Sequence, residues 1–169
     1  IHVIHNPVRP VSVEPGRRRT NILSIGRHVS QKRFELLVRA FHLATERHPE
    51  WTLTIIGDGP LKASLQRVVS ELGLHNRVDL LPATPNLEHH FAQATLYCQP
   101  SQWEGFPNAQ AEAMAAGVTP VGLAATSGVE DMIEDGANGV LVEGTPSAAA
   151  LAAGLKMIIE RPDLWPAMS

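Results

Sequence analysis

Arg27 and Lys32 lie five residues apart, just beyond an apolar run, and Glu104 and Glu112 lie eight apart beside a stretch of small residues. A guanidinium offers a planar fork of donors and an ammonium at the start of a helix adds a point charge, so the first pair could converge on a diphosphate. A carboxylate can accept both hydrogens of a vicinal diol, so the second pair could hold a ribose and a second sugar. The competing readings are a solvated basic surface and ordinary surface glutamates. Glu112 stands among Ala109, Ala111, Ala113, Ala115 and Ala116 and is expected to be buried, where a carboxylate needs a partner. Gly128, in Ser127-Gly128-Val129-Glu130, would let a backbone approach the same phosphates, or else is a turn glycine.

Something must hold these groups together. Short runs rich in Val, Ile and Leu recur at 21–25, 52–56, 78–81, 96–98, 118–121 and 140–142, with helical patterns between them. Continuous apolar runs separated by helices predict a parallel sheet covered on both faces, an α/β Rossmann-like domain. Phe34, Leu37, Val38, Phe41 and Ala44 predict a first helix from about Ser30 to His48, capped by Ser30 and stopped by Pro49. A second is expected over 61–72, ended by Gly73, and a thin third over 108–116, ended by Gly117. Thr145-Pro146 is expected to open a last helix with Leu151, Leu155, Ile158 and Ile159 inward. In such a sheet, ligands collect outside the carboxyl ends of the strands. The loops there carry Gly26-Arg27, Gly57-Asp58-Gly59-Pro60 and the run from Ser101 to Asn108.

Other chemistries lack their residues. There is no G-x-G-x-x-G, no G-x-x-x-x-G-K-[ST], no Asp-x-Asp and no H-E-x-x-H, so no metal or cofactor is expected. His89-His90 reads as surface, Cys98 as a core filler and not a nucleophile, and Ser101 and Ser127 lack a nucleophile elbow. A net charge of −3 gives no broad basic field for nucleic acid, and Arg17-Arg18-Arg19 beside Pro15-Gly16 reads as a solvated linker. No apolar run approaches the roughly 20 residues a spanning helix needs. With a single cysteine, a cytoplasmic setting is expected.

The ordered set Gly26-Arg27 with Lys32, Ile55-Ile56-Gly57-Asp58-Gly59-Pro60, Pro100-Ser101, Glu104-Gly105-Phe106-Pro107-Asn108, and Glu112-Ala113-Met114-Ala115-Ala116-Gly117 resembles the carboxyl-terminal domain of group 1 (family 4) retaining glycosyltransferases, of GT-B fold. The opening Val3-Ile4-His5-Asn6-Pro7-Val8 is similar to that family's interdomain linker, which places a linker at 1–19 and the sugar-nucleotide-binding domain at 20–169.

The resemblance implies a nucleotide-sugar donor, a uridine-diphosphate sugar above all. Arg27 and Lys32 would stabilise the leaving diphosphate without a metal, and Glu112 would bind the ribose. Glu104, with Gly105, Phe106, Pro107 and Asn108, would position the sugar, while Gly26, Gly128 and Val129 would approach phosphate and sugar. It also implies an amino-terminal half, outside this chain, that binds a glycan, lipid-linked or small-molecule acceptor, and a full-length enzyme that can associate with the inner face of a membrane. The chain by itself is expected not to transfer. Two departures stand out: Pro82-Ala83 where relatives often have glycine, and Arg33 after Lys32 where glycine is frequent. The alternatives are a sugar-nucleotide epimerase of the same fold and a non-catalytic sugar-nucleotide-binding module.

Overall fold

Each apolar run expected to be a strand is one in the computed structural model, which describes residues 19–165 and 168: β1 Asn21–Ile25, β2 Thr52–Ile56, β3 Val78–Leu81, β4 Leu96–Gln99, β5 Thr119–Leu123 and β6 Val140–Val142. They form one parallel six-stranded sheet in the order β3-β2-β1-β4-β5-β6. Side chains alternate across it, as a pleat requires. Ile22, Leu53, Ile55, Leu96 and Cys98 join the core on one face, with helices α1 Phe34–Ala44, α2 Lys62–Glu71 and α5 Ala148–Ile159. Leu23, Ile56 and Tyr97 join the smaller core on the other, with α3 Glu88–Gln93 and α4 Asn108–Ala115.

The inward residues expected on α1 and α5 are all buried. Helix ends are where expectation and structure part. Ser30 caps nothing. Ser30–Lys32 is a separate 3-10 turn, Arg33 follows with φ +49, and only then does α1 begin. Left-handed backbone costs a residue with a Cβ about 1–2 kcal/mol, which is why glycine suits this place. The helix ends at Thr45, whose Oγ1 bonds back to the Phe41 carbonyl, before Pro49 is reached. The cap of α5 is Ser147, whose hydroxyl accepts from the Ala150 amide, and not Thr145. Helix α3 leaves no periodic signal in the sequence, because six residues are too few to show one. The linker expected at 1–19 lies outside the described residues except at Arg19, whose amide donates to the Gln93 carbonyl.

Candidate functional site

The sheet runs outward from β1 to β3, then returns to the other side of β1 with β4, so β1 and β4 are neighbours whose connections lead to helices on opposite faces of the sheet. A crevice opens at such a switch point. The β1 loop brings Gly26, Arg27 and Lys32 to it, and the β4 loop brings Glu104 and Gly105. The 3-10 turn aims Lys32 across the gap, its Nζ 2.6 Å from Oε1 of Glu104, with the two side chains 19% and 9% exposed. Gly26 lies close beneath it: a Cβ there would stand 3.1 Å from the Lys32 Cε and press on the extended side chain. The loops are stitched further by Gln31, whose Nε2 donates to the Trp103 carbonyl at 2.7 Å and whose own carbonyl accepts from the Gln102 amide at 2.8 Å.

Behind Glu104 lies a buried polar chain. Gln99 donates from Nε2 to Glu104 Oε1 (2.9 Å) and to the Ser101 hydroxyl (2.7 Å), while its Oε1 accepts from the Tyr97 hydroxyl (2.8 Å). Tyr97 and Gln99 share one face of β4, and burial pushes the Tyr97 phenol well above its usual range, so it stays a donor. Burial likewise pushes the Cys98 thiol up, in keeping with a core filler.

Gly128 closes the crevice from the β5 side. Its φ is +78, and a Cβ would lie 2.8 Å from the Gly105 carbonyl and 3.2 Å from that of Glu104. Ser127 Oγ donates to the Glu104 carbonyl and Thr126 Oγ1 to that of Ser101. Val129 belongs to the core, fully buried with its Cγ1 filling the space a Cβ on Gly122 would need, so only its backbone faces this loop. Gly105 and Asn108 are exposed, Phe106 half-buried and Pro107 buried. Glu112 is half-buried on α4, less enclosed than its alanine neighbours implied, because the helix turns Ala111 and Ala113 inward and leaves the carboxylate at the margin. Its carboxylate has no hydrogen-bond partner among the described residues.

Arg27 is exposed and lines a cleft of about 430 Å³ with Gly26, Gly57, Asp58, Ala83 and Thr84. Asp58 is occupied structurally: Oδ2 accepts from the Ala83 amide at 2.8 Å and Oδ1 pairs with Lys62 at 3.2 Å, and these bonds hold its carboxyl below the usual range. The Pro82-Ala83 departure therefore forms part of a braced cleft wall. Among the described residues no cluster of three or more His, Cys, Asp or Glu is placed to hold a metal ion, and no helix is long and apolar enough to cross a membrane.

One residue of this region gave no signal in the sequence. His28 is fully buried with neither ring nitrogen bonded, edge-on to Phe34 at 5.6 Å, and its backbone carries the Gly57–Pro60 loop. Burial, then Lys62, lowers its pKa from 6.5, against a smaller opposing pull from Asp58. The folded chain thus holds the proton less well than the unfolded one, so stability is full above about pH 6.5 and falls as the pH drops toward the folded value, by up to about 1.4 kcal/mol per pH unit. His28→Leu should remove most of that slope in denaturant melts between pH 7 and 5, leaving the part due to His90, which is lowered by burial as well. At pH 7 the variant should be no less stable, because no unbonded nitrogens stay buried.

Residues 11–168 match the family model described as glycosyl transferases group 1. An uncharacterised glycosyltransferase of Haemophilus influenzae is 32% identical over 148 residues, covering 88% of this chain and 42% of that protein. The poly(glycerol-phosphate) alpha-glucosyltransferase of Bacillus subtilis is 30% identical over 142 residues, 84% of this chain and 21% of that one. The chain therefore spans less than half the length of either relative. TarM of S. aureus, solved with fondaparinux, alpha-GlcNAc-glycerol and UDP, superposes with a TM-score of 0.91 at 23% identity over 99% of this chain and 34% of its own. Anabaena HepE in complex with UDP gives 0.79 at 24% identity over 89% and 42%. These likenesses establish the Rossmann-like architecture of GT-B glycosyltransferases, and the family match over nearly the whole described chain means that this protein belongs to the group 1 glycosyl transferases.

Proposed function

We propose that this chain is the donor-binding domain of a retaining glycosyltransferase, taking a uridine-diphosphate sugar in the crevice between β1 and β4. The observation that carries the reading is the Lys32–Glu104 pair at 2.6 Å on the topological switch point, which sets a cation for phosphate directly beside a carboxylate for sugar hydroxyls. Arg27 at the cleft rim and Lys32 neutralise the diphosphate and the charge that grows as it leaves. Glu112, unbonded and half-buried, takes the ribose hydroxyls. Glu104 holds the sugar, beside the backbone of Gly105, Phe106 and Pro107 and the polar Asn108. Gly26 and Gly128 let main chain come close to the phosphates, and Val129 contributes backbone alone. The braced cleft of Gly57, Ala83 and Thr84 receives the base.

In the transfer, the bond from the anomeric carbon to the diphosphate oxygen lengthens and breaks as the acceptor oxygen bonds the same face. The acceptor's proton passes to the departing phosphate, so no protein carboxylate needs to act as nucleophile or base. The acceptor, a glycan, a lipid-linked sugar or a small molecule, binds to a further domain of the kind the longer relatives have room for, in a cytoplasmic enzyme that can meet the inner membrane face. TarM and HepE, each solved with UDP, support the choice of nucleotide.

Thermal unfolding with UDP, GDP and ADP tests the reading. A ligand at 100 times its Kd adds about 2.7 kcal/mol, or a rise of about 5–11 °C at this size. UDP is expected to give that rise and Glu112→Ala to lose it while melting normally without ligand. Equal rises in both proteins would remove Glu112 from the site.

A further inference from the structure

With the crevice taken as the donor site proposed above, the geometry of its sugar-facing carboxylate is set from behind. Glu104 does not meet the crevice as a free carboxylate. Its Oε1 already accepts from Lys32 Nζ at 2.6 Å and from Gln99 Nε2 at 2.9 Å, while Oε2 has no partner among the described residues. Gln99 is 1% exposed and its amide has one workable orientation. Turned over, its carbonyl would face the carboxylate and the Ser101 hydroxyl instead of the Tyr97 hydroxyl. The carboxylate excludes that orientation, and Tyr97, fully buried, then gives its one proton to Gln99 Oε1 at 2.8 Å rather than to the Ile25 carbonyl at 3.5 Å, which holds the amide as the amide holds the carboxylate.

We infer that Gln99, held by Tyr97, is the positioning residue of this site: it ties down Oε1 of Glu104 so that Oε2 alone is presented to a hydroxyl of the donor sugar. The role concerns the sugar and not the nucleotide, since neither residue lines the cleft on the β2–β3 side. A buried, geometrically defined acceptor discriminates between sugar epimers better than a carboxylate free to rotate, because a hydroxyl of the wrong configuration leaves it unsatisfied.

The test compares affinities by titration calorimetry for UDP and for UDP-glucose, UDP-galactose and UDP-N-acetylglucosamine. In Gln99→Leu the preferred UDP-sugar is expected to bind about 10-fold more weakly and to lose its advantage over the epimer, with UDP changed by less than about twofold. Since Gln99→Leu leaves the buried Tyr97 hydroxyl only the long 3.5 Å contact to the Ile25 carbonyl, the double variant Tyr97→Phe/Gln99→Leu removes both polar partners and should regain stability while keeping the binding defect. A folded double variant with wild-type preference among the sugars overturns the inference. A ligand-free arm is independent of the donor: the Gln99 side-chain amide protons, followed by NMR, should be slow to exchange and shift sharply in Glu104→Ala. Unshifted protons would also overturn it. If the protons behave as expected but no UDP compound binds the wild type, the donor reading fails, and the sugar role of Gln99 with it.

Discussion

Lys32→Ala is expected to weaken nucleoside diphosphate binding by two to three orders of magnitude while costing the fold about 1–3 kcal/mol. The asymmetry follows from what the ammonium touches. In the free chain Lys32 pairs with Glu104, and the side chains are only 19% and 9% exposed, so the loss exceeds that of a surface pair, while the Gln99 bond that Glu104 retains holds it to about 1–3 kcal/mol. With a diphosphate bound, the same ammonium supplies a charge-assisted bond of about 1.5–3 kcal/mol. Its removal also leaves the Glu104 carboxylate uncompensated beside the ligand's negative charge, and repulsion adds to the loss. Calorimetric titration reads the affinity and thermal melts read the fold. Lys32→Arg should recover part of the binding, because charge survives while the fork fits the 3-10 turn less well. Unchanged affinity in Lys32→Ala would show that the cation serves only to hold Glu104.

The second large effect falls on the fold that builds the cleft. In Gly57→Ala, the new methyl group would lie 1.9 Å from the Gly26 carbonyl oxygen and 2.9 Å from its carbon. Neither strand end can yield cheaply: Gly26 donates to the Ile56 carbonyl at 3.0 Å and Gly57 to that of Leu81 at 2.9 Å, so relief means breaking ladder bonds at the mouth of the site. A loss of about 3 kcal/mol or more follows, read as a fall of about 6–12 °C in Tm. Gly105→Ala is the control: no atom lies within 4 Å of its added Cβ, and stability should change by less than about 0.5 kcal/mol. Equal losses in the two variants would mean that the close approach of the β1 and β2 loops is not what demands glycine.

Features that depend on near neighbours in the chain were readable from the residues alone. The six strands stand where short runs rich in apolar residues lie, because a strand covered on both faces has room for few polar side chains; Ser24 and Thr54 are buried exceptions, and Asp79 falls on the edge strand β3. The inward faces of α1 and α5 follow from a 3.6-residue period. Gly73 and Gly117 end their helices with positive φ, as glycine allows and other residues resist. The candidate loops were legible for the same reason, since they follow strands that could be located.

Tertiary structure decided everything that depends on strand order. No local signal states that β4 lies against β1, and only that adjacency puts Glu104 within 2.6 Å of Lys32, seventy-two residues away. It also turned Glu112 toward the margin, placed Val129 in the core, and made Gln99 a tether for a carboxylate when composition alone marks it as a polar residue at a strand end. His28 was invisible for a related reason. Its burial depends on a loop thirty residues further on closing over it, a contact set by the pairing of β1 with β2 and not by any spacing in the chain.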